Sequence, residues 1–273
     1  MINKETVQSI VEMSNTMRLR MMDLTYKAGK NGSHIGGSLS SVEILATLYK
    51  TILHIDFSDF EKRDRLILSK GHAALAQYCA LENIGILSKE ETDTFEDNGS
   101  YYISHSKRDI RKGLEFSGGS LGLGMSFAVG VALSCRLKGF KNHIYVILGD
   151  GECNEGIIWE ALMSVANYNL VNLTVIVDQN NLQVDGSTET VMNMGSLKDK
   201  FNSFGFNTIE TDGHSVTDLL QAFGNRDKNR SNAIIAKTIK GKGISFMENK
   251  YNWHHNVLNE TRYNKALSEL NRE

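Results

Sequence analysis

The chain has 273 residues, of which 41% are hydrophobic and 23% charged, a balance that fits a soluble globular fold with a substantial core. Its formal net charge of −2 gives no electrostatic reason to expect nucleic acid or an anionic membrane as a partner, and no apolar run approaches the ~18 residues of a membrane span. The start, Met1-Ile2-Asn3-Lys4-Glu5, lacks the basic-then-apolar plan of a secretory signal. Cys79, Cys135 and Cys153, odd in number and without CxxC spacing, suit a reducing cytoplasm and argue against a disulfide framework or a zinc site. There is no proline, where ordinary usage of ~5% would give roughly 14, so the 24 glycines must carry most of the special backbone geometry.

No internal repeat, low-complexity tract or linker interrupts the sequence, so residues 1–273 read as a single domain. The first ~20 residues predict an amphipathic helix with Val7, Ile10, Val11, Met17 and Met21 on or near one face. Ser40-Ser41-Val42-Glu43 is a capping-box pattern opening a helix through Leu45, Leu48 and Tyr49, and Ser88-Lys89-Glu90-Glu91 repeats it before a more polar helix. Short, nearly continuous apolar runs predict buried parallel strands at 65–68, 144–148, 173–177 and 233–236, with a weaker one at 206–209. Helical stretches are expected at 121–137, 157–168, 197–204 and 217–223, with a last helix over 259–270. Strands alternating with helices imply an α/β fold: an open, mainly parallel sheet with helices on both faces, built from right-handed crossovers.

The segment from Ile144 to Gly186 carries the most chemistry. A buried strand ends in Gly149-Asp150-Gly151-Glu152, a helix follows, and the next strand ends in Asp178-Gln179-Asn180-Asn181. Asn180 comes about 30 residues after Asp150, the length of a βαβ unit. Both polar groups therefore emerge at the carboxyl ends of neighbouring parallel strands, where open α/β sheets bind ligands. A carboxylate and an amide oxygen are hard ligands suited to Mg²⁺ or Ca²⁺. The glycines beside Asp150 admit a diphosphate, and the following helix offers its positive end. Gly-Asp-Gly alone is a common turn after a strand; the strand-ending Asn-Asn gives it a second ligand and so points to a metal-bridged diphosphate.

GDGECNEG followed by VDQNNLQVDG resembles the thiamine-diphosphate motif, in wording closest to the transketolase family. The resemblance implies that Asp150, Asn180 and the backbone carbonyl of Leu182 hold a metal, and that Gly151 lies against the diphosphate of a bound thiamine diphosphate. Four further segments resemble transketolase signatures. They are SHIGGSLS from Ser33, LSKGHA from Leu68, SHS from Ser104 upstream of Gly113-Leu114-Glu115, and KGKGISFM from Lys240 with Trp253-His254 after it. The family has proline where Ile35 and Ser106 stand, and usually glycine where His255 stands.

A lone loop histidine is ordinarily a polar surface residue; four in matching contexts fit proton traffic at hydroxyl and carbonyl groups. The resemblance implies that His34, His72, His105 and His254 line a channel above the thiazolium. His72 and His105 would contact the donor's terminal hydroxyl, and His254 and His34 would act nearer the bond that breaks. In EFSGGSLGLG from Glu115, Gly119, Ser120 and Leu121 would pack against the aminopyrimidine. The partial GxG of Gly122-Leu123-Gly124 is a weak dinucleotide signal, because no buried strand precedes it and the third glycine is misplaced; a nicotinamide-dependent dehydrogenase is thus a distant reading. Glu155 matches a family glutamate at the subunit interface beside the cofactor, although a glutamate at a helix start also simply complements the helix dipole.

The resemblance covers nearly the whole chain but only the first of three regions of a full-length transketolase. The second region, which supplies the glutamate that protonates the aminopyrimidine and much of the donor-phosphate site, has no counterpart. With a polar final helix ending in Arg272 and Glu273, the chain resembles the N-terminal subunit of a split transketolase. That implies a separate pyrimidine-binding C-terminal subunit, self-association into an A₂B₂ assembly, sugar-phosphate substrates and little activity alone. Other readings are a split enzyme for an unusual sugar phosphate, a 1-deoxyxylulose-phosphate-synthase-like subunit, or a non-catalytic relic that retains the fold.

Overall fold

The computed structural model describes residues 2–56, 59 and 61–271; Met1 and the Arg272-Glu273 end of the sequence lie outside them. Five strands, β1 (Arg65–Leu68), β2 (Ile144–Gly149), β3 (Leu173–Gln179), β4 (Asn207–Asp212) and β5 (Asn232–Lys237), form one sheet in the order β1-β2-β3-β5-β4, and every neighbouring pair is parallel. The helices are α1 (Lys4–Lys27), α2 (Ile35–Leu39), α3 (Val42–Thr47), α4 (Ala74–Asn83), α5 (Lys89–Thr92) and α6 (Leu123–Leu137), followed by α7 (Gly156–Asn167), α8 (Thr188–Met192), α9 (Leu197–Ser203), α10 (Val216–Gly224) and α11 (Glu260–Leu270).

Side chains alternate across a strand, and here both faces are buried. In β2, Tyr145 and Ile147 enter the core under α1, α3, α4, α10 and α11. Ile144, Val146 and Leu148 enter the second core, under α6, α7 and α9. Burial on both faces is the reason these strands read as unbroken apolar runs.

The α1 periodicity holds at Ile10, Met17 and Met21, which are buried, but Val11 faces outward and Met13 and Met22 are buried instead. Ser88 closes the expected capping box with Glu91. The one expected at Ser40–Glu43 does not form. Ser41 makes no cap bond, because its hydroxyl and that of Ser40 donate to the Asp178 carboxylate, while Glu43 pairs with Arg18. After Asp150 the chain makes a 3₁₀ turn, Gly151–Asn154, before α7 begins at Gly156, so the helix end expected directly behind the aspartate is displaced by this turn.

Candidate active site

Because all five strands are parallel, their carboxyl ends share one edge of the sheet. There the chain leaves β1 as Ser69-Lys70-Gly71, β2 as Asp150-Gly151, β3 as Asn180 and β5 as Thr238-Ile239-Lys240. These exits surround a cleft of about 190 Å³ lined by Asp150, Gly151, Asn180 and Leu182 together with Leu121, His72 and His254.

Asp150 is buried. Its carboxylate accepts from the backbone N–H of Gly151 at 2.9 Å and of Asn181 at 2.6 Å. Burial, with the nearby Asp178 charge, pushes its pKa up to about 6. Asn180 Oδ1 accepts from the Leu182 N–H at 3.1 Å, and the Leu182 carbonyl accepts from Lys240 Nζ at 3.3 Å. One carboxylate, one amide oxygen and one backbone carbonyl make a hard donor set that fits Mg²⁺ or Ca²⁺. At Gly151 a Cβ would stand 2.9 Å from Gln183 Cγ, so only glycine leaves this wall open without moving Gln183.

Beneath the cleft, Asp178 is fully buried and gathers four donors. Ser40 Oγ donates at 2.6 Å, Ser41 Oγ at 3.0 Å, and Lys70 Nζ and Thr238 Oγ1 also donate to it. Burial alone would raise its pKa, but the Lys70 ammonium and the hydroxyl donors outweigh that and hold the group below the usual carboxylate range. Glu152, equally buried, joins three loops: it accepts from Ser69 Oγ at 2.5 Å, from Gly122 N at 2.8 Å and from Gly149 N at 3.0 Å.

The four expected histidines converge. The His34 ring lies 4.7 Å from that of His72, 5.1 Å from His105 and 5.4 Å from His254, and His72 lies 4.6 Å from His105. A backbone contact sets this up. Gly71 packs so tightly on the glycine loop that a Cβ there would lie 2.6 Å from Gly119 N and 2.8 Å from Gly118 Cα. Burial first, then the repulsion that protonating neighbouring imidazoles together would bring and, for His72 and His254, the Lys70 and Lys240 ammonium groups, drives the imidazole pKa values down, to about 2 for His34, about 4 for His72 and about 3 for His254. All are neutral at physiological pH, each with one donor and one acceptor nitrogen. His34 Nδ1 and His105 Nε2 are buried with no hydrogen-bond partner among the described residues, an arrangement that leaves polar capacity for a ligand.

Without proline, hydrogen bonds fix these loops. Ser33 pairs with Asn256 through both backbone bonds and with Thr25 through its hydroxyl, and Ser106 Oγ donates to the Phe116 carbonyl at 3.2 Å. Gly119 lies against the His105 ring. Ser120 is exposed. Glu155 is also exposed, at the N-cap of α7, and does not line the cleft.

Two residues at the site were not singled out in the sequence. Lys240 is buried, with Nζ 3.1 Å from His254 Nδ1; burial and the Lys70 charge lower its pKa to about 8. The His255 ring lies 4.6 Å from that of His34. Their signals were the Lys-Gly-Lys-Gly run and the histidine doublet.

At the carboxyl edge of this α/β sheet the structure thus brings together an oxygen donor set, two lysines and a histidine cluster. Residues 9–271 match the family described as "Transketolase, thiamine diphosphate binding domain", and the chain belongs to that family. It is 37% identical over 97% of its length to one of the subunits of the apulose-4-phosphate transketolase of Phocaeicola vulgatus, covering 94% of that protein. It is 40% identical over 90% of its length to the 6-deoxy-6-sulfo-D-fructose transketolase subunit SqwG of a Clostridium species, covering 91% of it. The transketolase from Leishmania mexicana superposes with a TM-score of 0.88 at 26% identity over 97% of this chain, which spans 42% of that one.

Proposed function

We propose that this chain is the diphosphate-binding subunit of a two-chain ketol transferase that moves a two-carbon unit from an anionic ketose to an aldose phosphate. The observation that carries the reading is the convergence of His34, His72, His105 and His254 beside the Asp150–Asn180–Leu182 oxygen set. Two relatives that match this chain almost end to end are named as subunits. Their substrates, an apulose phosphate and a sulfofructose, support a sugar outside the common pentose phosphates. The cleft is smaller than the ~300–1,000 Å³ of a complete small-ligand site, which supports a second chain closing it. That chain would carry the pyrimidine-binding half, and a paired A₂B₂ assembly would follow. The histidine and metal sites lie at the edge of one sheet cored on both faces, in keeping with a single domain. The buried free cysteines support a cytoplasmic setting, and among the described residues no helix is long and apolar enough to cross a membrane.

Asp150, Asn180 and the Leu182 carbonyl would hold Mg²⁺, with Gly151, Lys240 and Lys70 nearest the diphosphate. Thiamine diphosphate supplies the electron sink for carbon–carbon bond cleavage and formation. Held neutral, His72 and His105 can donate to or accept from a sugar hydroxyl, and His34 and His254 can take up or return the proton that moves as the ketol carbonyl and hydroxyl interchange. Gly119, Ser120 and Leu121 would pack against the aminopyrimidine, and Glu155, exposed at the N-cap of α7, would meet the partner chain. The test is calorimetric titration of the purified chain with thiamine diphosphate, with and without Mg²⁺, alone and with the partner. Binding that needs both the metal and Asp150 supports the reading; binding indifferent to either overturns it.

A further inference from the structure

Outside the residues that line the cleft stands a polar group that the proposed chemistry does not use. Glu43 of α3 joins Arg18 of α1 to His214, which follows β4. Arg18 Nη2 is 2.5 Å from Glu43 Oε1, and His214 Nδ1 is 2.9 Å from Glu43 Oε2. Arg18 and Glu43 are 4% and 7% exposed, too buried to serve as solvated surface charges.

The other end of each of Glu43's two partners grips the backbone around Lys240. His214 Nε2 accepts from the Ile239 N–H at 2.8 Å, and Arg18 Nε donates to the Lys242 carbonyl at 3.3 Å. Ile239 directly precedes Lys240 and Lys242 follows it by two residues, so one carboxylate, Glu43, ties down both flanks of the turn. A third bond, Gly241 N to Gly36 O at 3.0 Å, fixes its tip. The backbone amide can only donate, so Nε2 must be the acceptor. The proton of a neutral His214 then sits on Nδ1 and is donated to Glu43.

We infer that Arg18, Glu43 and His214 form a positioning relay that sets the Lys240 turn, and through it the reach of Lys240 Nζ to His254 and the Leu182 carbonyl. The consequence for cofactor affinity rests on the function proposed above; the tautomer and the placement of Lys240 do not. Glu43 has a second role in holding α3 to α1, so His214 is the cleaner position to alter. His214→Gln keeps an acceptor within reach of the Ile239 N–H, whereas His214→Ala leaves that amide unpaired.

The experiment uses the full chain. Histidine ¹⁵N NMR reads the His214 tautomer, ¹³C-lysine labelling reads the Lys240 side chain (assigned with Lys240→Arg), and Trp253 fluorescence titrates thiamine diphosphate with Mg²⁺. The expected results are the Nδ1–H tautomer in the native chain and a displaced Lys240 signal in His214→Ala that returns in His214→Gln. Cofactor affinity should fall about 10-fold in the alanine variant and stay within about 3-fold of native in the glutamine variant. An Nε2–H tautomer, or a folded His214→Ala chain with an unmoved Lys240 signal, overturns the relay. A native chain that binds no cofactor while the Lys240 signal still follows the two substitutions overturns the cofactor reading and leaves the relay standing.

Discussion

Replacing Asp178 by asparagine should destabilise the fold mainly through Lys70. In the native chain the Lys70 ammonium donates to the fully buried Asp178 carboxylate and also to the Gly37 carbonyl at 2.9 Å and Ser41 Oγ at 3.0 Å. Asparagine is nearly isosteric, and Thr238 can rotate its hydroxyl to accept from the new amide, so the loss is chiefly one of charge. Breaking a buried ion pair costs about 3–5 kcal/mol; with two neutral acceptors left for Lys70, the lower end, about 3 kcal/mol, is expected. That is a large share of the ~5–15 kcal/mol that holds a domain folded. Equilibrium unfolding in urea measures it, at pH 7, where the depressed pKa of Asp178 contributes its full stabilisation; that contribution is lost only as pH falls through the folded value. The decisive comparison is a double-mutant cycle with Lys70→Met, in which coupling of about 1.5 kcal/mol or more is expected. Coupling below about 0.5 kcal/mol would refute the view that these two groups stabilise one another.

Three further outcomes follow from the same geometry. Gly71→Ala places a Cβ within 2.6 Å of Gly119 N and should cost about 1–3 kcal/mol, seen in thermal unfolding, together with loss of cofactor binding. The buried His143 imidazole, its pKa lowered to about 3 by burial and by Arg226, resists protonation when folded. Stability should therefore be full above the unfolded value of about 6.5 and fall with decreasing pH below it, and His143→Gln should flatten that slope by up to about 1.4 kcal/mol per pH unit in urea titrations. Asp150→Ala should abolish metal-dependent cofactor binding, as a chelator should for the native chain, whereas Asp150→Asn, which keeps an acceptor for the Gly151 and Asn181 amides, should weaken it while leaving the apo fold intact. Cofactor binding by Asp150→Ala as tight as native, with the same metal dependence, would count against the cation-site reading.

β1, β2, β3 and β5 were legible because burial on both faces writes itself as continuous apolar sequence; β4, an edge strand of half-buried and exposed residues, gave only a weaker run that overlaps its first residues. Helices with a polar face, α7 and α10, were equally plain. α4 was not, since Ala74 through Leu81 are all buried and a helix apolar all round has no periodicity to detect. The Ser40–Glu43 pattern misled for a tertiary reason: the buried Asp178 carboxylate attracts the serine hydroxyls more strongly than a helix start does. Asp150 and Asn180 could be picked out because their spacing follows the strand ends, whereas the histidines were found through the resemblance of their segments to transketolase signatures. Lys240 could not, because its place in the cleft depends on β5 lying beside β3 and on contacts made by Arg18 and His214, far away in sequence. The exposed position of Glu155 likewise becomes visible only once the α7 N-terminus is placed outside the cleft.

The half-site reading is most directly tested by ketol transfer measured with purified protein, thiamine diphosphate, Mg²⁺, a panel of anionic ketose donors and an aldose-phosphate acceptor. The account predicts no turnover by this chain alone, and turnover on adding a pyrimidine-binding partner in equal amount, with both chains eluting as one assembly. Full turnover by this chain alone, or an equimolar pyrimidine-binding partner that neither associates nor restores activity, would contradict it.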